Sequence, residues 1–318
     1  MMKKFTIQTL TAADIPSVGD LQKAYAEVYP DARVIAGELY LSPGFGNGEN
    51  VFCTFDENRK LLGYAPLYPV LMRDPSNLPH TFWTEIKVHP AEEPGIEIKD
   101  GLFERLLLRT RELARDFPGH PSHLTFQYFP SETASVDYVT SKGCQHTESV
   151  FTMRRDLSLE IQSLPPIQED IVTRPWRMES QAEQQVYVTA RNECFPEAPI
   201  ELEEWQYLMK SPQWSVGTTF AAFQGDQLIG NAAVFWDEAE NEKSERKIGF
   251  TEYIFVLSAW RGKNIARQLI TAGLQHLKQH GLDDAHLEVR AQNQNALRLY
   301  FSLGFEVLRE SRFYVLSL

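Results

Sequence analysis

The chain has 318 residues, with 31 Lys and Arg against 43 Asp and Glu, for a formal net charge of −12. That length predicts two domains, each able to bury its own core, and the negative balance argues against binding a nucleic-acid backbone, which it would repel. No stretch of about 18 or more apolar residues occurs, so no membrane span is expected. Met1-Met2-Lys3-Lys4-Phe5-Thr6-Ile7 lacks the long apolar core of a secretion signal, and three widely spaced cysteines (Cys53, Cys144, Cys194) fit a reducing cytoplasm. The acidic balance suits a cationic partner but is equally that of ordinary cytoplasmic proteins.

In chain order, Phe5–Leu10 reads as a strand and Ala12–Val28 as a helix. Val51–Phe55 and Leu62–Val70 form a hairpin around Asp56-Glu57-Asn58-Arg59. Phe82–Val88 runs as a strand into His89-Pro90, Lys99–Arg115 is a helix, and His123–Tyr128 is a strand. A helix ending at Gly143 and the strand Val150–Leu157 close the first half, residues 1–158. Leu159–Asp170 breaks every periodicity and holds Pro165-Pro166, which marks a linker.

The second half, 171–318, starts with the strand Ile171–Met178 and the helices Gln181–Cys194 and Leu202–Lys210, separated by Phe195-Pro196-Glu197-Ala198-Pro199. Thr218–Phe223 and Leu228–Trp236 form a hairpin, and a charged loop 237–247 leads to an apolar strand through Tyr253, Ile254, Phe255 and Val256. After a turn and a helix come the strand Leu287–Arg290, a helix stopping at Gly304, and the strands Phe305–Arg309 and Phe313–Leu316. The order β, α, α, β, β, β, α, β, α, β, β is mixed α/β, and the first half repeats it weakly.

The chemistry concentrates where the Val256 strand meets Trp260-Arg261-Gly262-Lys263-Asn264-Ile265-Ala266. An amphipathic helix opens from this turn. Its free N–H groups and positive dipole end suit an anion, small residues permit close backbone approach, and Arg261 and Lys263 add charge. The pattern predicts a pyrophosphate cradle. Asn293 stands just past the Leu287–Arg290 strand, where the next helix begins. Tyr300 lies about two turns further on nearly the same face.

These residues resemble the GCN5-related N-acetyltransferase (GNAT) superfamily. Its acyl-CoA motif is Arg/Gln-x-x-Gly-x-Gly/Ala after a strand, and its later motif pairs an Asn with a Leu-Tyr-x-x-x-Gly-Phe helix. Here the first motif glycine is Asn264, the non-glycine residue that best tolerates positive φ, and the second small position is Ala266. The match covers about the last third of the chain. The repeat makes the whole resemble the tandem members of that superfamily: two acyl-CoA N-acyltransferase-like domains, each a twisted mixed sheet flanked by helices.

The resemblance implies transfer of an acetyl group from acetyl-CoA to the primary amine of a small molecule, by direct attack on the thioester. Backbone groups at Ile254 and Val256 would pair with the pantetheine arm, and Arg261, Gly262, Lys263, Asn264, Ile265 and Ala266 would hold the pyrophosphate. Asn293 would bond cofactor or cap its helix. Tyr300 would protonate the departing thiolate. Glu252 is the candidate base; it stands four residues before Val256, which on a regular strand puts both on one face. The alternatives are a strand glutamate in an ion pair, and for Tyr300 a packed aromatic.

The first half lacks these features. Ala91-Glu92-Glu93-Pro94-Gly95-Ile96-Glu97 brings three carboxylates to its helix start, which would repel a pyrophosphate. Four residues before Gly143 stands Val139, with Tyr138 rotated off that position. It is expected not to bind CoA. Trp205, Tyr207, Trp214 and Trp236 either wall an acceptor pocket or pack in the core. Cys194 reads as a small packed residue rather than a nucleophile, and the histidine spacing predicts no metal site. A non-catalytic acyl-CoA sensor, acetylation of a protein amine and a scaffold without ligands are the competing readings.

Overall fold

The computed structural model describes residues 5–73, 77–164, 167 and 170–318. Pro165-Pro166 of the expected linker and residues 1–4 lie outside the described residues. In chain order the elements are β1 (Phe5–Thr9), α1 (Ile15–Val28), β2 (Val51–Asp56), β3 (Leu61–Val70), β4 (His80–Thr84), β5 (Lys87–Val88), α2 (Ile96–Arg115), β6 (Ser122–Tyr128), α3 (Thr133–Ser141) and β7 (Gln145–Asp156). There follow β8 (Ile171–Pro175), α4 (Gln181–Cys194), α5 (Leu202–Leu208), α6 (Pro212–Val216), β9 (Thr218–Gln224), β10 (Gln227–Trp236), α7 (Glu238–Asn241), β11 (Ile248–Val256), α8 (Ile265–Gln279), β12 (Asp284–Arg290), α9 (Gln294–Ser302) and β13 (Glu306–Ser317). Among the described residues no helix is long and apolar enough to cross a membrane.

The chain forms two compact units, Met1–Ser149 with Glu310–Leu318, and Val150–Arg309. In the first, β1, β2, β3 and β4 pair antiparallel in turn, β4 pairs parallel with β6, and Arg312–Ser317 of β13 pairs antiparallel with β6. In the second, Val150–Asp156 of β7 pairs antiparallel with β12, β12 parallel with β11, and β11, β10, β9 and β8 antiparallel in succession. Each is a mixed sheet flanked by helices, the α/β class that the order of elements implied.

These units differ from the expected division at 1–158 and 171–318. The end of β7 completes the later unit's sheet and the end of β13 completes the earlier one's. Long-range pairing decides this, and no local pattern encodes it. Two further expectations change. Phe305–Arg309 and Phe313–Leu316 are one strand, β13, and Phe82–Val88 is interrupted at Glu85 and Ile86.

In the later unit, alternation along the strands feeds two cores. Phe220 and Ala222 of β9 face Ile265, Leu269 and Leu274 of α8 and Leu297 of α9. Ala221 and Phe223 face Tyr187 and Val188 of α4 and Trp205 of α5. Residues 265, 269, 270, 274 and 277 recur at helical spacing, which makes α8 amphipathic. Gly273 lets α8 lie close to the sheet, because a Cβ there would stand 2.7 Å from Val234 Cγ1.

Candidate active site

A cleft of about 880 Å³ opens in the later unit between the end of β11, the start of α8 and one side of α9. Its origin is in the sheet. The β11–β12 ladder runs only from Ile248–Asp284 to Phe250–His286. Beyond it β12 stays paired with β7 as far as Arg290, while β11 continues to Val256 on β10 alone. The strands part, and the β12-facing edge of residues 254–256 borders the cleft. An extended ligand could add there as a strand.

A bulge aims that edge. Asn231 faces Phe255 and Ala233 faces Glu252, so three β11 residues span what two span on β10. Tyr253 takes φ 50°, and its carbonyl accepts a hydrogen bond from Asn231 Nδ2 at 3.3 Å. The extra residue reverses the alternation. Ile254 and Val256 pack toward α8, whereas Tyr253 and Phe255 pack with Trp205 and Tyr187. Glu252 therefore does not share the face of Val256, as a regular strand would require. Its charge instead raises the Tyr187 phenol, whose pKa stands well above the ordinary value chiefly through burial.

At the floor of the cleft Asn264 adopts the left-handed conformation, φ 61°, and Gly262 precedes it at φ 80°. The tolerance expected of Asn is used. The Asn264 side chain makes no capping bond, whereas Ser180 caps α4 and Asn293 caps α9. The first amides of α8 thus face the cleft with no side chain of Asn264 on them. Arg261 folds back and donates from Nε to the Val256 carbonyl at 3.1 Å, which lays its guanidinium across the strand end.

Arg261, Gly262, Asn264, Ile265 and Ala266 all line the cleft, as do Ile254, Val256, Asn293 and Tyr300. Lys263 does not. Its ammonium lies over the Trp260 ring, 4.4 Å from the centroid. Asn293 Oδ1 accepts from Ala296 N at 3.1 Å, so it is the helix cap and a cleft residue at once. Tyr300 is 7 % exposed, and burial pushes its phenol up to about 12. Cys194 is half-buried on the wall; burial raises its thiol and Arg261 opposes the shift.

Several lining residues had no signal in the sequence motif: Arg267 on α8, Arg298 and Ser302 on α9, and Glu197 after α4. Of the two readings open for the tryptophans, packing holds for Trp205 and Trp236, which are buried in separate cores. Trp205 meets Trp214 edge-on at 5.4 Å and stacks on Tyr187 at 4.3 Å, with Tyr253 alongside. Trp236 lies elsewhere, against His276 of α8 and His280 just after it. Tyr187 and Tyr253 complete the aromatic cluster around Trp205.

In the earlier unit the polar side chains near the ends of β4, β5 and β6 and the start of α2 bond to the protein itself. Between β4 and β6, the Tyr128 hydroxyl accepts from Ile86 N at 2.7 Å and donates to Ile86 O at 3.3 Å. Lys99 of α2 is buried, pairs with Glu93 at 3.1 Å and donates to Ala134 O at 3.2 Å. Lys87 pairs with Glu85 at 3.0 Å, also out of solvent.

Residues 181–305 match the sequence model described as the Acetyltransferase (GNAT) family. A mycothiol acetyltransferase of Actinosynnema mirum is 28 % identical over 166 residues, 51 % of this chain and 53 % of that protein. The chain thus spans about half the length of the curated relatives it matches. Two solved structures share the fold across nearly the whole chain. A GCN5-related N-acetyltransferase from Sphaerobacter thermophilus has TM-score 0.71 at 18 % identity, covering 98 % of this chain and 95 % of that one. A tandem GNAT protein from the clavulanic acid biosynthesis pathway has TM-score 0.67 at 16 % identity, covering 99 % and 98 %. Residues 181–305 thus carry the sequence signature of the GNAT family, and the chain as a whole shares the fold of a tandem GNAT protein.

Proposed function

We propose that the later unit transfers an acetyl group from acetyl-CoA to the primary amine of a small molecule by direct attack. The observation that carries this reading is one cleft joining the strand edge at 254–256 that β12 leaves, the open amides at the start of α8 and Tyr300. A pantetheine arm fits the first, a pyrophosphate the second and a departing thiolate the third. The name of the curated relative supports a small-molecule acceptor.

The thioester supplies the activated acyl group. Ile254 and Val256 hold its arm by their backbone groups, and residues 261, 262 and 264–266 hold the diphosphate. The amine nitrogen bonds to the carbonyl carbon as the carbon–sulfur bond breaks. Tyr300 gives its proton toward the sulfur. Glu252, on the side of the sheet occupied by Tyr187 and Trp205, takes the amine proton through water. The acceptor accordingly approaches from the α4–α5 side, opposite the face on which Val256 packs. The earlier unit is proposed to bind no CoA, since its Tyr128 is bonded to the Ile86 backbone and its buried Lys87 and Lys99 are committed to Glu85 and Glu93.

Calorimetric titration with acetyl-CoA, followed by thiol release with a panel of amines, tests the reading. Binding with turnover on a small amine is expected. Binding without turnover on any amine would favour a sensor, turnover only on peptides a protein acetyltransferase, and no binding would leave a scaffold.

A further inference from the structure

We propose that the groove between α8 and α9 reads the 3′-phosphate of the donor's adenosine, with Arg267 and Arg298 as the cations that hold it. This rests on the acyl-CoA reading of the cleft and adds a donor specificity to it.

Arg267 reaches from α8 to α9, donating from Nη2 to Ser302 Oγ at 2.6 Å. Ser302 stands one turn beyond Arg298, so both belong to one strip of α9. Arg298 is steadied by Asn295 Oδ1 at 2.5 Å. Both guanidiniums line the cleft, each held by a neutral oxygen. Among the described residues neither has a carboxylate within ion-pair distance; Glu197, the acid on the rim, pairs with Arg290 at 3.8 Å. In a chain of net charge −12, two uncompensated guanidiniums converging from separate helices form a strong local anion site.

The geometry selects the anion. With the arm on the β11 edge and the diphosphate on the α8 amides, the nucleoside must leave on the other side of the cradle. That side is the first turn of α8 and the facing strip of α9. A 3′-phosphate monoester is close to a dianion at neutral pH and accepts two charge-assisted contacts. A nucleoside with a bare 3′-hydroxyl offers these cations nothing comparable.

The test is calorimetric affinity for CoA and for 3′-dephospho-CoA, on the wild-type chain and on Arg267→Gln and Arg298→Gln, with circular dichroism to establish folding. The wild type should bind CoA at least about tenfold more tightly than the dephospho form, as a charged contact of this kind allows. Either variant should lose most of that preference while holding the dephospho form as the wild type does. Equal wild-type affinities would overturn the inference alone. So would an equal loss for both ligands, which would place the arginines on the diphosphate. No binding of either ligand would overturn the inference together with the acyl-CoA reading.

Discussion

Tyr300→Phe removes one oxygen from the cleft wall and tests the proton donor directly. Burial holds this phenol near 12, against a leaving thiol near 8.5, so complete proton transfer is uphill by about 3.5 pK units, or about 5 kcal/mol. For an ordinary phenol the cost would be about 2 kcal/mol. The larger figure means that Tyr300 serves by a hydrogen bond that strengthens as charge builds on sulfur, with the proton passing late. Its loss should lower kcat by about 100-fold, the lower end for a positioned acid, and leave the acetyl-CoA affinity within about twofold. Continuous thiol detection at saturating amine measures the first, and calorimetry the second. Because the phenol stays protonated, Tyr300 should impose no alkaline fall in wild-type rate up to about pH 10. A variant within about threefold of wild type would refute the acid role, as would a wild-type alkaline limb near pH 9 that the Phe variant lacks.

Glu252→Gln should lower kcat/KM for the amine by about 100-fold while leaving acetyl-CoA affinity unchanged, since residue 252 faces away from Val256; parallel loss of both would contradict that geometry. Fragments 1–158 and 171–318 should each fail to fold, because the first lacks the β13 partner of β6 and the second the β7 partner of β12; two cooperative melts from the separate fragments would refute the exchange. Burial raises Glu132 from its ordinary 4.5 to about 7, so the folded form binds its proton more tightly than the unfolded chain does. Stability is then greatest below about pH 4.5 and falls by up to about 3 kcal/mol as pH rises to 7. Glu132→Gln should flatten that part of the denaturant-derived stability profile, and an unchanged slope would count against the raised carboxyl.

The strand, turn and helix start that border the cleft were legible because they are contiguous, within 250–266, and Asn264 meets the positive φ that the turn requires. That Tyr300 and Asn293 share the cleft side of one helix was legible from their spacing. What escaped depends on partners distant in the chain. The bulge at Tyr253 arises from register against Asn231 and Ala233, so a strand read alone put Glu252 on the wrong face. The exchange of β7 and β13 ends is likewise a matter of pairing. Lys263 shared the sequence neighbourhood of Arg261 but turns to Trp260. Arg267 and Arg298 look like ordinary solvent-facing helix residues until α8 and α9 are brought together.

A crystal of the chain grown with coenzyme A addresses the core of the account. The diphosphate should sit on the amides of residues 265–267, with the pantetheine arm hydrogen-bonded along the free edge of 254–256 and the earlier unit empty. Ligand density in the earlier unit, or a diphosphate bound away from the start of α8, would contradict it.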